Sequence, residues 1–481
     1  MMVPEAIPPH RPPPHADQRP FPGRSIAAAF ILLALSLLLF WPGIATYDTI
    51  VQYQQVVSGS YDDWHPPVMA RLWAALSILS AGTAPLFLLQ MTGYWLGLGL
   101  LAGALGGRRA IILFAVGATP FLLGWLATVI KDSQMIGALS LATGLIAHYR
   151  LRGRPIATPA LAVAALCLLY ATLVRANAVF STVPLAMLLI PRPGGQPARF
   201  LATIAAIPAV LLLSQPVNHR LLGAEDSGVT RTQPMYDLAG IAVRTKGAAP
   251  GLPPAATATL IRHHCVKPLF WDSLGDAPAC AAAIDPWQKA PAARLYADLV
   301  MAVAHHPLAY LGHRLAHLNS TERWLVPMRW PLAAPPASPE PNSLGLTGPA
   351  CCAAVHWQRV AAWLVETPLA WPILWTVAAF WGLWLAVLQP ESPPRTLALT
   401  LFASALFQEA SFVALSISSD LRYHLWAMLA TAWGWLVLAP RGAPFRRTAP
   451  AAIAMILILC AGAAARLTLP PAPTRYADLM N

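Results

Sequence analysis

Apolar runs long enough to cross a bilayer recur along almost the whole chain; a hydrocarbon core of ~30 Å takes roughly 20 helical residues to span. About eleven can be placed, near 25–42, 84–105, 110–128, 133–149, 157–174, 178–190, 199–215, 367–388, 396–417, 423–439 and 449–466. Of 481 residues, 57% are hydrophobic and only 11% are charged, against about 25% charged in a soluble domain. These features predict an all-α polytopic membrane protein with about eleven transmembrane helices. The net charge of +12 does not point to nucleic acid. The arginines cluster in short loops between apolar runs, where topology accounts for them.

The positive-inside rule fixes an orientation. With the N-terminus in the cytoplasm, one set of loops holds Arg108 and Arg109, Arg150, Arg152 and Arg154, Arg192 and Arg199, Arg395, and Arg441, Arg446 and Arg447. The other set holds every unusual polar cluster: residues 43–83, Lys131-Asp132, Arg175-Ala176-Asn177, a long segment at 216–366, and Asp420-Leu421-Arg422-Tyr423-His424. The resulting division is a disordered cytoplasmic tail (1–22), an N-terminal membrane module (23–215), an outer segment of short helices and loops (216–366) and a C-terminal membrane module (367–481). The run Ser25–Trp41 has no small-residue cleavage site after it, so it reads as an uncleaved span.

In the outer segment, Tyr296 to Leu318 has helical periodicity, and Gly345 to Pro349 reads as a loop. Cys265, Cys280, Cys351 and Cys352 fall here and predict one or two disulfides in an oxidising compartment. Cys265–Cys280 would close a loop of about 15 residues, worth roughly 3 kcal/mol in the chain-entropy model. His313 and His317 stand i, i+4 on a helix, but no HExxH accompanies them and acidic ligands are sparse, so a metal site is not favoured.

The densest polar stretch is Tyr47–Pro67, directly after the first apolar run and its Pro42-Gly43 break. On a helix from Tyr47, the side chains of Asp48, Gln52 and Gln55 make one polar face. Asp62 and Asp63 read as solvated or capping. His65 precedes Pro66-Pro67, a good helix start, and could contact a phosphate or a sugar hydroxyl. Lys131 could bind an anionic headgroup, and Asp132 suits a helix N-terminus. Arg175 and Asn177 sit where ionisable residues at membrane depth mark function. Arg422 can contact a phosphate in bidentate fashion, flanked by Asp420 and Tyr423.

This layout resembles the GT-C fold of multispanning glycosyltransferases that use polyprenyl-phosphate sugars, among them protein O-mannosyltransferases and the lipid A aminoarabinose transferase. Asp48-x-x-x-Gln52 with the downstream His65-Pro66-Pro67, Lys131-Asp132, Arg175-x-Asn177 and Arg422-Tyr423 look like a bacterial branch of that superfamily. The resemblance implies a bacterial inner-membrane enzyme with interfacial helices in the first outer loop and its active site on the periplasmic face. It would move a sugar, with inversion, from a polyprenyl-phosphate donor to a glycan, lipid or protein acceptor. Asp48 is then the general base. Lys131, Arg175 and Arg422 bind the donor phosphate. Gln52, Gln55, His65, Asp132, Asn177, Asp420 and Tyr423 orient substrate. Asp48-Thr49 stands where many relatives have an acidic pair, so a divalent metal is not favoured and no other cofactor is implied. Two alternatives stay open: an O-antigen ligase or polymerase, for which Arg231, Arg244, Arg262, Arg294, Arg314 and Arg323 would matter, and a lipid-linked-sugar transporter or flippase, for which Glu409 would.

Overall fold

A computed structural model describes residues 23–187, 196–247, 250–349, 351–438, 445–473 and 475–480. The tail at 1–22, Arg192 and Arg441 lie outside the described residues, as do the side chains of Arg199, Arg446 and Arg447. Among the described residues the protein is helical, with three isolated β-bridges.

The N-terminal half runs through α1 (Gly23–Phe40), α2 (Tyr47–Ser58), α3 (Pro67–Leu76), α4 (Ala84–Leu105), α5 (Gly107–Gly117), α6 (Pro120–Leu126), α7 (Lys131–Arg150), α8 (Thr158–Val174), α9 (Val179–Ala186) and α10 (Gln196–Pro216). The outer segment holds α11 (Val229–Thr245), α12 (Pro254–Arg262), α13 (Asp272–Gly275), α14 (Pro278–Gln288), α15 (Ala292–His305), α16 (Pro307–Thr321) and α17 (Cys352–Leu364). The chain closes with α18 (Pro372–Val387), α19 (Pro393–Leu415), α20 (Leu425–Leu438), α21 (Phe445–Thr468) and α22 (Tyr476–Met480).

Five described helices are long and apolar enough to cross a membrane: α1, α4, α10 with its continuation to Leu221, α19 and α21. The run at 110–128 is not one straight span. It breaks into α5 and α6, bent by 60°, because Pro120 removes a backbone donor and restrains Thr119 before it. Counting that pair as one span gives six. The other expected runs are shorter helices (α8, α9, α18, α20) or, in α7, one with Lys131, Asp132, His148 and Arg150 at its ends.

Helix α4 runs parallel to α7 at very close range. A Cβ on Gly97 would stand 2.2 Å from the Ser140 carbonyl oxygen, and one on Gly144 would stand 2.2 Å from the Gly97 carbonyl oxygen. Only glycine permits this approach, the usual device for joining helices in lipid. α1 lies against α4, and α19 against α18 and α20. One apolar core runs through these bundles, and a second, around Tyr236, Leu260, Trp271, Ile284 and Leu295, lies within the outer segment.

The predicted 296–318 helix is two helices, broken where Pro307 starts α16. Cys265 and Cys280 are disulfide-bonded, whereas Cys351 and Cys352 are free and exposed. Helix α22 docks on the outer segment: Lys267 donates to the Leu479 carbonyl at 2.7 Å, and the Tyr476 hydroxyl donates to Asp272 at 2.8 Å. The end of the described chain and the outer segment therefore share one side of the bundle.

Candidate functional site

After the turn at Pro42-Gly43, Ile44 pairs with Thr128 in a short parallel bridge, its amide donating to Ala127 and its carbonyl accepting from Val129. Thr46 and Thr49 form a capping box that starts α2, and the Thr49 hydroxyl donates to the Val129 carbonyl at 2.9 Å. This fastens the first turn of α2, which carries Asp48, beside the first turn of α7, which carries Lys131 and Asp132. Both acids sit at helix N-termini, where the peptide dipoles favour negative charge.

Arg175 ends α8 and precedes the 3-10 turn Ala176–Ala178. It pairs closely with Asp132, its Nε donates to Asn177 Oδ1 at 2.7 Å, and its guanidinium lies 4.0 Å from the Tyr423 ring centroid. Arg422 comes from the 3-10 turn Leu421–His424 between α19 and α20. It reaches Asp420 at 2.8 Å, Asp48 at 3.0 Å and Asp132 at 3.7 Å. Lys131 lies 3.1 Å from His65 Nδ1. An ammonium only donates, so Nδ1 accepts and the imidazole proton sits on Nε2, which is buried without a partner.

Nine of the eleven residues singled out in the sequence are thus joined by direct contacts, although they come from four separate stretches of chain. Gln52 and Gln55 lie one and two turns beyond Asp48. Both are buried, and neither the oxygen nor the nitrogen of either amide has a hydrogen-bond partner. Three carboxylates (Asp48, Asp132, Asp420) face three cations (Lys131, Arg175, Arg422). The two arginines are paired to carboxylates, and among the described residues Lys131 forms no ion pair.

Burial alone would raise the Asp48 pKa, but Arg422, Lys131, His65 and Arg175 together hold its carboxyl below the usual range. Burial, reinforced by Lys131, pushes His65 down to about 3, so it is neutral at pH 7. Burial pushes Asp420 up to about 6 against the pull of Arg422.

Three contributors were not singled out from the sequence. Trp125 lies 5.9 Å beneath the Arg422 guanidinium, inside a run that reads as lipid-facing. Gln408 donates to the Tyr423 carbonyl at 2.6 Å and holds its turn; a glutamine within an apolar run was the available signal. Thr49 is hidden inside an ordinary capping pattern. Asp62 caps Trp64, as expected. Asp63 is not solvated: it accepts from the Ser227 amide and hydroxyl at 2.7 and 2.6 Å and ties the first loop to the outer segment.

No family model matches the chain, and no curated protein does. What the cluster can do follows from its geometry. It offers a carboxylate for a proton, a cation without a carboxylate partner for an anion, and two unpaired amides for hydroxyls. Among the described residues no group of three or more His, Cys, Asp or Glu is placed to hold a metal ion. His313 instead faces Asp237 at 3.3 Å, and His317 Nδ1 lies 2.7 Å from the Pro268 carbonyl oxygen.

Proposed function

We propose that the protein is a GT-C-type membrane glycosyltransferase that moves a sugar from a polyprenyl-phosphate donor to an acceptor hydroxyl at the outer face of the bacterial inner membrane. The observation that carries this reading is the meeting of Asp48 with Arg422 and Lys131 at one end of the helix bundle. In this reading the chain crosses the bilayer about eleven times, with arginine-rich loops inside. The shared side of α22 and the outer segment supports an even number of crossings between them.

The acceptor hydroxyl gives its proton to Asp48, its oxygen bonds to the sugar's anomeric carbon from the face opposite the phosphate, and the carbon–phosphate-oxygen bond breaks. The lipid phosphate leaves with that electron pair. Its second negative charge is balanced by the proton now on Asp48. Paired with Arg422, Asp48 is a weak base. When Arg422 turns to the donor phosphate, the carboxylate loses its counterion and its basicity rises. Arg175 is committed to Asp132 and Asn177, so Lys131 and Arg422 take the phosphate, while Gln52, Gln55 and the His65 Nε2 proton meet sugar or phosphate oxygens.

The test uses membranes carrying matched amounts of wild type or Asp48→Asn, supplied with a panel of labelled polyprenyl-phosphate sugars and scored for release of lipid phosphate and for transfer. Loss of a general base predicts a fall of about 100-fold or more; full transfer by Asp48→Asn overturns the assignment. The transporter reading has one observation in its favour, the buried pair of Glu409 with His424 Nδ1 at 2.7 Å inside the C-terminal bundle. Loss of function in Glu409→Ala but not in Asp48→Ala would select it.

A further inference from the structure

Helix α16 is built inside out. Its fully buried residues are all polar: His313, Arg314, His317, Ser320 and Thr321. Its most exposed large side chains are all leucine: Leu308 at 81%, Leu311 at 50% and Leu315 at 52%. Spaced i, i+3 and i+7, the leucines occupy one face.

The buried side has partners on several elements. Arg314 pairs with Asp237 of α11 and donates to the Ser416 carbonyl at 2.7 Å, just beyond α19. The Trp330 indole donates to Ser320 at 3.2 Å, and Thr321 lies 3.0 Å from His424 Nε2, just before α20. The polar face thus joins the outer segment to the outer ends of the membrane helices.

In water a helix is arranged the other way round, with its apolar stripe inward and its charges outward. We propose that α16 is not part of a soluble domain: its leucine face lies in the hydrocarbon of the bilayer leaflet nearest the outer segment, and its partner there is lipid acyl chain. The leucine row continues past the helix end into exposed Leu325 and Met328. Between them and α21 the Trp324 indole donates to the Ile458 carbonyl at 3.1 Å. α21 is a candidate membrane span with only 11% of its apolar stretch buried, and it exposes Ile453, Ile456 and Leu457. The leucine face is therefore continuous with a surface that already requires lipid. Polar groups facing inward and leucines outward is the arrangement such a solvent selects.

The experiment places a spin label singly at Leu308→Cys, Leu311→Cys and Leu315→Cys in the full chain, in lipid nanodiscs. Cys167, Cys351, Cys352 and Cys460 are replaced, and the Cys265–Cys280 disulfide is kept. Leu457→Cys on α21 is the lipid reference, and Lys289→Cys, whose native side chain is 74% exposed, is the water reference. The expected result is a ratio of oxygen to nickel-chelate accessibility at all three positions that matches Leu457→Cys and exceeds Lys289→Cys several-fold. Ratios matching Lys289→Cys overturn the proposal. So does shielding from both probes, which would mean that a second copy or another protein covers the face.

Discussion

Helices α2 and α16 both bury polar side chains, yet they do so to different ends. In α16 each buried polar residue contacts at least one protein group, although His313 Nε2, Arg314 Nε and His317 Nε2 make no hydrogen bond. In α2, Gln52 and Gln55 are as deeply buried and have none. An unpaired buried polar group costs about 1–3 kcal/mol, so a helix that keeps two of them loses stability for something the folded chain alone does not supply. The difference separates a clamp from a surface that waits for a ligand.

That contrast can be broken most directly at Asp48. Asp48→Asn should lower transfer by about 100-fold or more while leaving the melting temperature in detergent close to wild type; a large drop in melting would make α2 a clamp as well. Arg314→Leu should do the reverse. It strands the Asp237 carboxylate, and breaking a buried pair costs about 3–5 kcal/mol, read as a lower melting temperature and poor yield, with partial recovery in Asp237→Asn/Arg314→Leu. An Arg314→Leu protein of normal stability would end the clamp reading of α16. Gln52→Leu sharpens the comparison further. Removing an unpaired amide should leave stability unchanged or raise it by about 1 kcal/mol, while transfer falls about 10-fold. Lower stability instead would mean that the amide has a structural partner.

The smallest expected effect is a pH slope. His65 is held at about 3 by burial and by Lys131, against ~6.5 in the unfolded chain. The unfolded chain takes up this proton as pH falls below ~6.5, and the folded chain does so only near 3. Stability is therefore complete above the unfolded value and drains as pH falls through that window. Melting temperature measured between pH 6.5 and 4.5 should decline, and His65→Gln should flatten the decline by about one proton. An identical slope in the variant would show that His65 is protonated freely.

Much of the candidate site was legible because the chain is so apolar. Against that background Asp48, Lys131-Asp132, Arg175-x-Asn177 and Arg422-Tyr423 stand out, and alternating topology puts them on one side. The His65-Pro66-Pro67 helix start and the Cys265–Cys280 bond were legible for local reasons, proline's fixed φ and loop length. What was hidden depends on partners far along the chain. Periodicity identified a helix near 296–318 but not which face turns inward, since that is decided by Asp237 and Ser416. Asp63 looked solvated because its partner, Ser227, is supplied by the outer segment. The break in the 110–128 run was written in Thr119-Pro120 but masked by the hydrophobicity around it.

The bridge between Ile44 and Thr128, with Thr49 held to Val129, also determines where the chain can tolerate added length. It splices the starts of α2 and α7 directly, so the offset between Asp48 and Lys131 does not pass through the α3–α4 turn at Ser80–Gly82. Residues inserted in that turn would leave the offset intact. A single residue inserted between Ile44 and Asp48 would turn the face that Asp48 shares with Gln52 and Gln55 by about 100° relative to Lys131.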